Sequence, residues 1–408
     1  MYSFIYIMSS YIYIIFSKST PTIKIRLCIF RINKITDIYM KIQPFKLERY
    51  FAKYEFSAPY LLSCSDCEPL GQSELLAMAD EESKKLWNDL ILSYTHSQGL
   101  PLLRQEIAKL YSKISLDELI ILAPEEGIFI ALNVLINKGD HVISIFPAYQ
   151  SLYEIAKSIG ASISNWEPNT KGSFEVDDLF SLATDKTKLI IINFPHNPTG
   201  ETISGEQLQQ IIEFARKKDI IIFSDEMYRL LEYDSSDRLK AVGDIYEKGI
   251  SLGGMSKSFA LPGLRLGWLG TQNKSWIRKM IEFKDYTTIC PPAPSEILAL
   301  IALRNKEHIL NRNLTIIKNN LVILEAFIDK YSAIFKWNKP KAGPITFPEL
   351  IIQQDIDKFC KDLVDKKGLM LLPSSVYDYP HKKVRISLGR KTFGESLTKL
   401  DEYLTDYS

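Results

Sequence analysis

Short apolar runs alternate with amphipathic stretches between residues 117 and 270. The runs that read as buried strands are 117–123 (DELIILA), 140–146 (DHVISIF), 187–194 (TKLIIINF), 219–226 (DIIIFSDE), 248–256 (KGISLGGMS) and 263–270 (GLRLGWLG). Between them, 125–139, 149–161 and 204–218 carry apolar residues at helical spacing, and Gly139 is expected to close the first of these helices. Near-continuous apolar strands that alternate with helices are typical of a parallel sheet covered on both faces. The pattern predicts an α/β fold with a mostly parallel sheet flanked by helices.

The predicted domain organisation depends on where this alternation starts and stops. After about residue 300 the chain changes to longer amphipathic helices, with a late strand in KKVRISLG (382–389). We therefore predict a large domain over 85–300 and a smaller α+β domain over 301–408, which residues 40–84 complete.

Residues 1–39 differ in character from the rest of the chain. The apolar run at 1–16 is shorter than the roughly 20 residues that span a bilayer, and it lacks the basic start and small-residue cleavage site of a signal peptide. We predict that 1–39 are an extension outside the fold. The alternative is a membrane-associating segment.

Composition narrows the classes of function. Among 408 residues, 50 basic and 49 acidic side chains leave a net charge of +1, which recruits neither nucleic acid nor an anionic membrane. Of five cysteines, only Cys64 and Cys67 form a close pair, and a lone pair without nearby histidines is weak evidence for zinc or redox chemistry. We expect no metal site, no nucleic-acid or membrane partner, and a reducing cytoplasmic location.

Polar residues cluster where the predicted strands end. The carboxyl ends of strands in an α/β sheet are where ligands bind. The residues at the ends of four of these strands are Glu125 and Glu126, Asn193–Gly200 (NFPHNPTG), Asp225 and Tyr228 (SDEMY), and Lys257. The sequence therefore predicts a single ligand site at this edge of the sheet.

Lys257 stands alone in GGMSKSFALPGLRLGW (253–268), a stretch of small, apolar and hydroxyl residues with one arginine, Arg265. A buried ammonium costs several kcal/mol unless it is paired, discharged or covalently used. Three interpretations are open: a solvated turn residue, a phosphate-binding lysine, or an amine that forms a Schiff base with a carbonyl. Its place among the other polar strand ends favours a functional lysine.

The ordered set PAYQSLY, NFPHNPTG, SDEMY, SKSFALPGLRLG and VRISLG resembles the fold-type-I pyridoxal-phosphate (PLP) enzymes of the class I/II aminotransferase family. The resemblance covers roughly residues 45–400. NPxG or SK alone is a weak signal, but the whole set in this order and strand context is specific. It implies that the chain is an enzyme that uses PLP to transfer an amino group between an amino acid and a 2-oxo acid.

The resemblance also implies roles for individual residues. Lys257 would hold the cofactor as a Schiff base and move a proton at the substrate Cα. Asp225 would face the pyridine nitrogen, Tyr228 and Asn197 would bond the phenolic oxygen, and Tyr149 would stack on the ring. The structural alternatives are a surface lysine, a helix N-cap for Asp225, an Asn-Pro turn at Asn197 and a core aromatic at Tyr149.

The phosphate-binding residues that the resemblance implies belong to two stretches of the chain. They are Glu125 and Glu126, through their N–H groups at a helix start, and Ser256 and Arg265. Pro124 removes one donor there, and two carboxylates beside a phosphate repel it unless they turn away. Gly254 stands where many relatives carry a hydroxyl, so the phosphate site departs from the family pattern.

Two further residues bear on substrate and assembly. Arg385 in VRISLG matches the arginine that binds the substrate α-carboxylate, with Asn197 beside it; the alternative is an ordinary exposed arginine next to Lys382 and Lys383. Tyr94 in YTHSQGLPLLR matches a tyrosine that reaches the phosphate in a neighbouring subunit, which implies a homodimer.

Two other functions remain open at this point. SCSDCEPL (63–70) and YTHSQGLPLLR are similar to the branch of capreomycidine-synthase-like enzymes, which cyclise an arginine derivative by elimination and replacement. Asp66 and Glu68 would then meet a cationic side chain, or else are solvated loop acids. A non-catalytic ligand sensor on the same fold is the third possibility, and the presence of Lys257 argues against it.

Overall fold

The computed structural model describes residues 42–407, so the predicted extension 1–39 lies outside the described residues. Its helices are α1 Lys46–Tyr54, α2 Gln72–Ala77, α3 Glu81–Asn88, α4 Pro101–Ala108, α5 Pro124–Leu135, α6 Ser151–Ile159, α7 Val176–Ser181, α8 Gly205–Lys218, α9 Val242–Ile245, α10 Lys274–Lys284, α11 Ala293–Arg304, α12 Lys306–Lys330, α13 Ile356–Lys367 and α14 Phe393–Tyr407. The strands are β1 Tyr60–Leu61, β2 Leu119–Leu122, β3 His141–Ile145, β4 Ser162–Trp166, β5 Thr187–Asn193, β6 Ile221–Asp225, β7 Gly249–Gly254, β8 Gly267–Gly270, β9 Phe335–Lys336, β10 Ile345–Thr346, β11 Glu349–Leu350, β12 Leu369–Met370, β13 Leu372–Pro373 and β14 Val384–Ser387.

A seven-stranded sheet in the order β2-β8-β7-β6-β5-β3-β4 forms the centre of the fold. The pairs from β7 to β4 are parallel, whereas β8 runs antiparallel to both β7 and β2. Strands β2, β3, β6, β7 and β8 are buried along their whole length, and β5 is buried at every residue except Lys188. This burial is expected for a sheet with helices on both faces. The predicted α/β fold with a mostly parallel sheet is confirmed.

The sequence pattern missed β4, which pairs in parallel with β3 at the sheet edge. Its sequence, SISNW, has a single fully buried residue, Trp166, so it lacks the continuous apolar run that marks the central strands. The predicted end of the first helix was also wrong. The helix α5 stops at Leu135 because Ile136 is already extended, and Gly139 (φ +92°) instead shapes the turn before β3.

Strand register aligns the ends of the strands that carry the predicted site. Asn193, the last residue of β5, pairs with Asp225, the last residue of β6, and Asp225 pairs with Leu252 of β7. Since these strands are parallel, the chain leaves all three at the same edge of the sheet. The loops that hold Asn197, Tyr228 and Lys257 therefore start side by side.

A second hydrophobic cluster is built mainly from the C-terminal helices and short strands. It includes Phe359, Leu363, Ile386 and Leu400, and it takes in Leu62 beside β1. Helix α1, by contrast, packs Leu47 and Phe51 into the cluster around the large sheet. The division into a large domain over 85–300 and a small domain over 40–84 and 301–408 stays a prediction. Within residues 42–407, none of the helices combines the length and the apolarity that crossing a membrane would require.

Candidate active site

A cavity of about 460 Å³ opens at the carboxyl ends of β5, β6 and β7. The predicted site residues that line it are Glu125, Tyr149, Asn197, Asp225, Tyr228, Ser256, Lys257, Arg265 and Arg385. Glu126 and Tyr94 are not among the lining residues. The structure thus brings together side chains from distant parts of the chain in one cavity.

Lys257 follows β7 and points its amine at the loop after β1. Its Nζ donates a hydrogen bond to Ser65 Oγ at 2.7 Å, and within residues 42–407 it forms no ion pair. Desolvation lowers the pKa of this amine, Arg385 adds to that effect, and Asp66 opposes it. The amine therefore loses its proton more readily than an exposed lysine, as a nucleophile or base must.

Asp225 ends β6 and is buried, with 7% of its surface exposed. Its Oδ1 accepts a hydrogen bond from the backbone N–H of Met227 at 3.1 Å. Burial raises the pKa of the carboxyl to about 6, against the lowering effects of that N–H and of Lys257. A buried carboxylate with no ion pair in the described chain is suited to receiving a cationic group of a ligand.

Asn193 is a site residue to which the sequence analysis assigned no role. Its Nδ2 donates to the backbone carbonyl of Asp225 at 2.9 Å, and its Oδ1 accepts from the N–H of Asn197 at 2.9 Å. One side chain therefore holds the two neighbouring strand ends in register. The available signal was its position as the first residue of NFPHNPTG, at the end of a predicted strand.

His196 joins the same loop to the turn that carries Tyr149. Its Nε2 lies 2.8 Å from the carbonyl oxygen of Pro147, and its Nδ1 lies 2.7 Å from Thr199 Oγ1. Burial lowers the pKa of the ring to about 3, so His196 is neutral at physiological pH. His196 therefore connects two loops of the site through hydrogen bonds and does not change its charge near neutral pH.

The two tyrosines of the cavity donate hydrogen bonds into its wall. Tyr228 donates to the backbone carbonyl of Ser65 at 2.8 Å, and Tyr149 donates to Glu48 Oε1 at 2.8 Å. Burial raises the pKa of both phenols, so they remain protonated donors.

Arg385, in β14, is 1% exposed and faces the cavity. Its Nη1 donates to Tyr377 Oη at 2.7 Å and to Asn197 Oδ1 at 3.3 Å. Its Nε and Nη2 both donate to the carbonyl of Ser63. No carboxylate pairs with this guanidinium among residues 42–407, so its charge is available to an anionic ligand.

The two carboxylates at the start of α5 point in different directions. Glu126 turns its side chain away from the cavity: its carboxylate accepts from Thr287, from Thr288 Oγ1 at 2.8 Å and from the N–H of Ala123 at 3.4 Å. Glu125 does line the cavity, and burial raises the pKa of its carboxyl to about 7. This shift favours the uncharged carboxyl more than it is favoured in an exposed glutamate.

Arg265 and Ser256 add polar groups to the cavity wall. Arg265 follows a 3₁₀ turn (Pro262–Leu264) in the left-handed region at φ 50°, and its Nη1 donates to the carbonyl of Pro262 at 3.2 Å. At Gly254, an added Cβ would lie 2.8 Å from Met227 Cε and 3.1 Å from Pro124 Cγ. A larger side chain at Gly254 would therefore require Met227 to move and would lie tightly against Pro124 at the start of α5.

The remaining predicted residues differ in their relation to the cavity. Tyr94 is 85% exposed and does not reach the cavity of its own chain. Glu68 accepts a hydrogen bond from the N–H of Lys391 at 2.9 Å and is not a lining residue. Asp66 does line the cavity, and it pairs with Arg390 at 2.7 Å.

Comparison with known proteins gives this geometry a context. The family model for aminotransferase class I and II matches residues 61–394. An aspartate aminotransferase from Sulfolobus acidocaldarius is 28% identical over 345 residues, which are 79% of this chain and 85% of the relative. Capreomycidine synthase from Streptomyces vinaceus is 24% identical over 282 residues, 68% of this chain and 72% of the relative. The solved structure of a PLP-dependent aminotransferase from Streptococcus suis superposes with a TM-score of 0.85 at 28% identity, over 90% of this chain and 99% of that one.

Proposed function

This chain belongs to the aminotransferase class I and II family and is a PLP-dependent aminotransferase. We propose which of its residues catalyse the reaction, bind the substrate and hold the cofactor. Lys257 is the catalytic residue, and Arg385 binds the substrate. The residues that hold the cofactor, together with the N–H groups at the start of α5, are Asp225, Tyr228, Asn197, Tyr149, Ser256 and Arg265. The amino donor and the 2-oxo acid acceptor both carry the α-carboxylate that Arg385 would receive.

The polar groups of the cavity fit pyridoxal phosphate. Its ring nitrogen requires an anionic partner, and Asp225 is a buried carboxylate without an ion pair in the described chain. Its phosphate requires cations and N–H donors, and Arg265 lines the cavity near the start of α5, with its Nη1 bonded to the Pro262 carbonyl. When bound, the cofactor supplies an aldehyde that condenses with amines and a ring that withdraws electrons from the substrate Cα.

The chain's own residues then have distinct tasks. The Lys257 amine accepts the proton that leaves the substrate Cα and would pass it on to the cofactor, and burial lowers the pKa of the amine, which favours the neutral form that this task requires. Arg385 orients the α-carboxylate, because Ser63 and Tyr377 fix the plane of its guanidinium. Tyr149 would cover one face of the cofactor's pyridine ring and so help to exclude water from the cavity.

The observation that carries this proposal is one cavity that contains three groups with no ion pair within residues 42–407: the Lys257 amine, the buried Asp225 carboxyl and the buried Arg385 guanidinium. The test is to mix the purified holoenzyme with each of a panel of amino acids and record the absorbance of the cofactor. At least one amino acid should convert the cofactor to its amino form, and a 2-oxo acid should restore it. A cofactor-loaded protein that no amino acid converts would contradict the proposal.

A homodimer is the assembly we propose. Ile91, Leu92 and Tyr94 are 76%, 82% and 85% exposed, and Tyr286 is 91% exposed. The segment that contains Tyr94 and the segment that contains Tyr286 are neighbours, because Thr95 Oγ1 donates a hydrogen bond to the carbonyl of Pro291 at 3.0 Å. An exposed apolar surface of this kind is typical of an interface, and burial against a second copy would bring Tyr94 to the site of the partner subunit.

The cyclase remains a second candidate because of the charges along one wall of the cavity. Glu48, Glu55 and Asp66 line it, and of these three Asp66 is ion-paired within residues 42–407, with Arg390. The cations that line the cavity are Lys257, Arg265 and Arg385, each of which has a proposed role in amino-group transfer. Burial, Asp66 and Glu48 raise the pKa of Glu55. Such a wall would favour an arginine-like side chain. A cyclase would release a cyclic amino acid and leave the cofactor in its aldehyde form, whereas an aminotransferase would release a 2-oxo acid.

A cytoplasmic location is also proposed. Cys64 and Cys67 are buried free thiols, and burial raises the pKa of both, so neither is poised as a reactive thiolate. This supports a chain that works in a reducing compartment.

A further inference from the structure

The loop Ser63–Asp66, which lies just after β1, contacts three functional residues that come from three other parts of the chain. The carbonyl of Ser63 accepts two hydrogen bonds from Arg385, and the carbonyl of Ser65 accepts one from Tyr228 at 2.8 Å. The side chain of Ser65 accepts the hydrogen bond from Lys257 Nζ at 2.7 Å. The first two contacts use main-chain atoms, but the third depends on the identity of residue 65.

We propose that Ser65 is a positioning residue for Lys257, a role that rests on the proposed function of Lys257. Lys257 would have to release the cofactor to the substrate amine, yet its own amine must stay beside the substrate Cα to move the proton there. Ser65 holds the free amine there through its hydroxyl. It restricts the rotamers of a long, flexible side chain and so keeps the base within reach of its proton.

The position of the Ser65 hydroxyl is set by its surroundings rather than by its own side chain alone. Tyr228 fixes the Ser65 carbonyl, and Arg385 fixes the carbonyl two residues earlier. Strand β1 anchors the loop from the other side by pairing with β12. The hydroxyl therefore has little freedom to follow Lys257, which is what a positioning contact needs.

Other titratable groups interact electrostatically with Lys257 without accepting a hydrogen bond from it. Burial lowers the pKa of its amine, Arg385 lowers it further, and Asp66, Glu48 and Cys64 raise it. Lys257 in turn lowers the pKa of Asp225 and of Glu55, against the raising effect of their burial. Asp66 is engaged by Arg390. Ser65 Oγ is the one hydrogen-bond acceptor of Lys257 Nζ among residues 42–407.

The hydrogen bond from Lys257 to Ser65 has a consequence that a purely structural role would not share. An acceptor stabilises an ammonium more than a neutral amine, so Ser65 opposes the effect of burial on the pKa of Lys257. Removing the hydroxyl should lower that pKa by about one unit, the shift expected from losing one hydrogen bond to a charged group.

The test compares Ser65→Ala with Ser65→Thr, which keeps the hydroxyl, and with Ser158→Ala, the same change at a serine that does not line the cavity. The Ser158 hydroxyl donates to the carbonyl of Ile155 at 2.7 Å within α6. The rate of one half-reaction is measured in the holoenzyme against pH at saturating amino acid. For Ser65→Ala we expect a plateau roughly tenfold lower and an acid limb displaced by about one pH unit to lower pH. Ser65→Thr and Ser158→Ala should leave the pH of the acid limb unchanged.

A second readout does not depend on turnover. Competitive acetylation of the full chain after removal of the cofactor, followed by peptide mass spectrometry, reports the pKa of the Lys257 amine directly. Ser65→Ala should lower it, and the two control variants should not. An unchanged acid limb together with an unchanged Lys257 pKa in Ser65→Ala would overturn the proposal, while the role of Lys257 itself is judged separately by Lys257→Ala.

Discussion

Arg385 lies 322 positions after Ser63 in the sequence, yet its Nε and Nη2 atoms are 3.0 Å and 2.7 Å from the Ser63 carbonyl oxygen. Tyr377 accepts from Nη1 at 2.7 Å, so three nitrogens of the guanidinium have defined partners. None of these partners carries a negative charge. The residue is therefore held rigidly while its charge is left for a ligand, and this relationship motivates the first prediction.

Arg385→Leu should lower kcat/KM at least tenfold for both the amino donor and the oxo acid, because both lose a charge-assisted contact with their α-carboxylate. Cofactor retention should survive, since other residues hold the cofactor. Steady-state kinetics and the absorbance of the bound cofactor measure the two effects. Arg385→Lys keeps the charge but not the planar fork of the guanidinium, so its kcat/KM should lie between those of the wild type and Arg385→Leu. Unchanged kinetics in Arg385→Leu would remove this residue from the site.

Lys257→Ala should abolish turnover and leave the cofactor bound only non-covalently. The reason is that no other lysine within residues 42–407 lines the cavity. Borohydride reduction of the wild-type protein and peptide mapping should place the pyridoxyl group on Lys257. A label on any other lysine would show that the assignment is wrong.

Asp225→Asn should keep the covalent adduct but lose most turnover, because an amide cannot stabilise a cationic ring nitrogen. The carboxyl has a pKa of about 6 without cofactor, so cofactor affinity of the wild type should weaken as the pH falls below about 6 and the carboxyl is protonated. This acid dependence should be absent in Asp225→Asn and retained in Asp225→Glu. Near-normal activity of a folded Asp225→Asn enzyme would refute the role.

Glu125→Gln should strengthen cofactor retention at alkaline pH. The Glu125 carboxyl has a pKa of about 7, raised by burial, so it becomes anionic as the pH rises and then repels the phosphate. Between about pH 6 and 9 the wild type should lose cofactor affinity several-fold more than the variant, as followed by fluorescence during dialysis. Exposed Glu81→Gln is the matched control, and an identical pH dependence in wild type and Glu125→Gln would argue against a phosphate beside this side chain.

Tyr94→Ala subunits mixed with Lys257→Ala subunits should recover part of the activity that each lacks alone. Tyr94 is 85% exposed and does not reach the cavity of its own chain, so its predicted role requires a second subunit. A heterodimer has one site with both residues intact. Activity is measured after subunit exchange has been demonstrated by mass spectrometry. No recovery despite exchange would count against a role of Tyr94 across an interface.

The central strands, and the residues at their ends that line the cavity, could be predicted from the sequence because their signals are local. The apolar runs around Ile143, Ile190 and Ile222 span five to seven residues each and mark buried strands by themselves. Lys257 and Asp225 are recognisable because each stands at the end of such a run. The edge strand Ser162–Trp166 and the end of the helix at Leu135 were missed, since half-exposed strands and helix ends depend on their neighbours more than on their own pattern.

Only the folded chain determines which distant groups meet. Nothing in the pattern around Ser65 indicates that its hydroxyl bonds Lys257, and nothing near Tyr377 indicates that it orients Arg385. Likewise, only packing turns Glu126 away from the cavity and leaves Glu125 in it. Hydrophobic periodicity is a property of short stretches of sequence, so it can be recognised without the structure. Contacts between distant segments depend on how whole helices and strands pack against one another, and no short stretch of sequence carries that information.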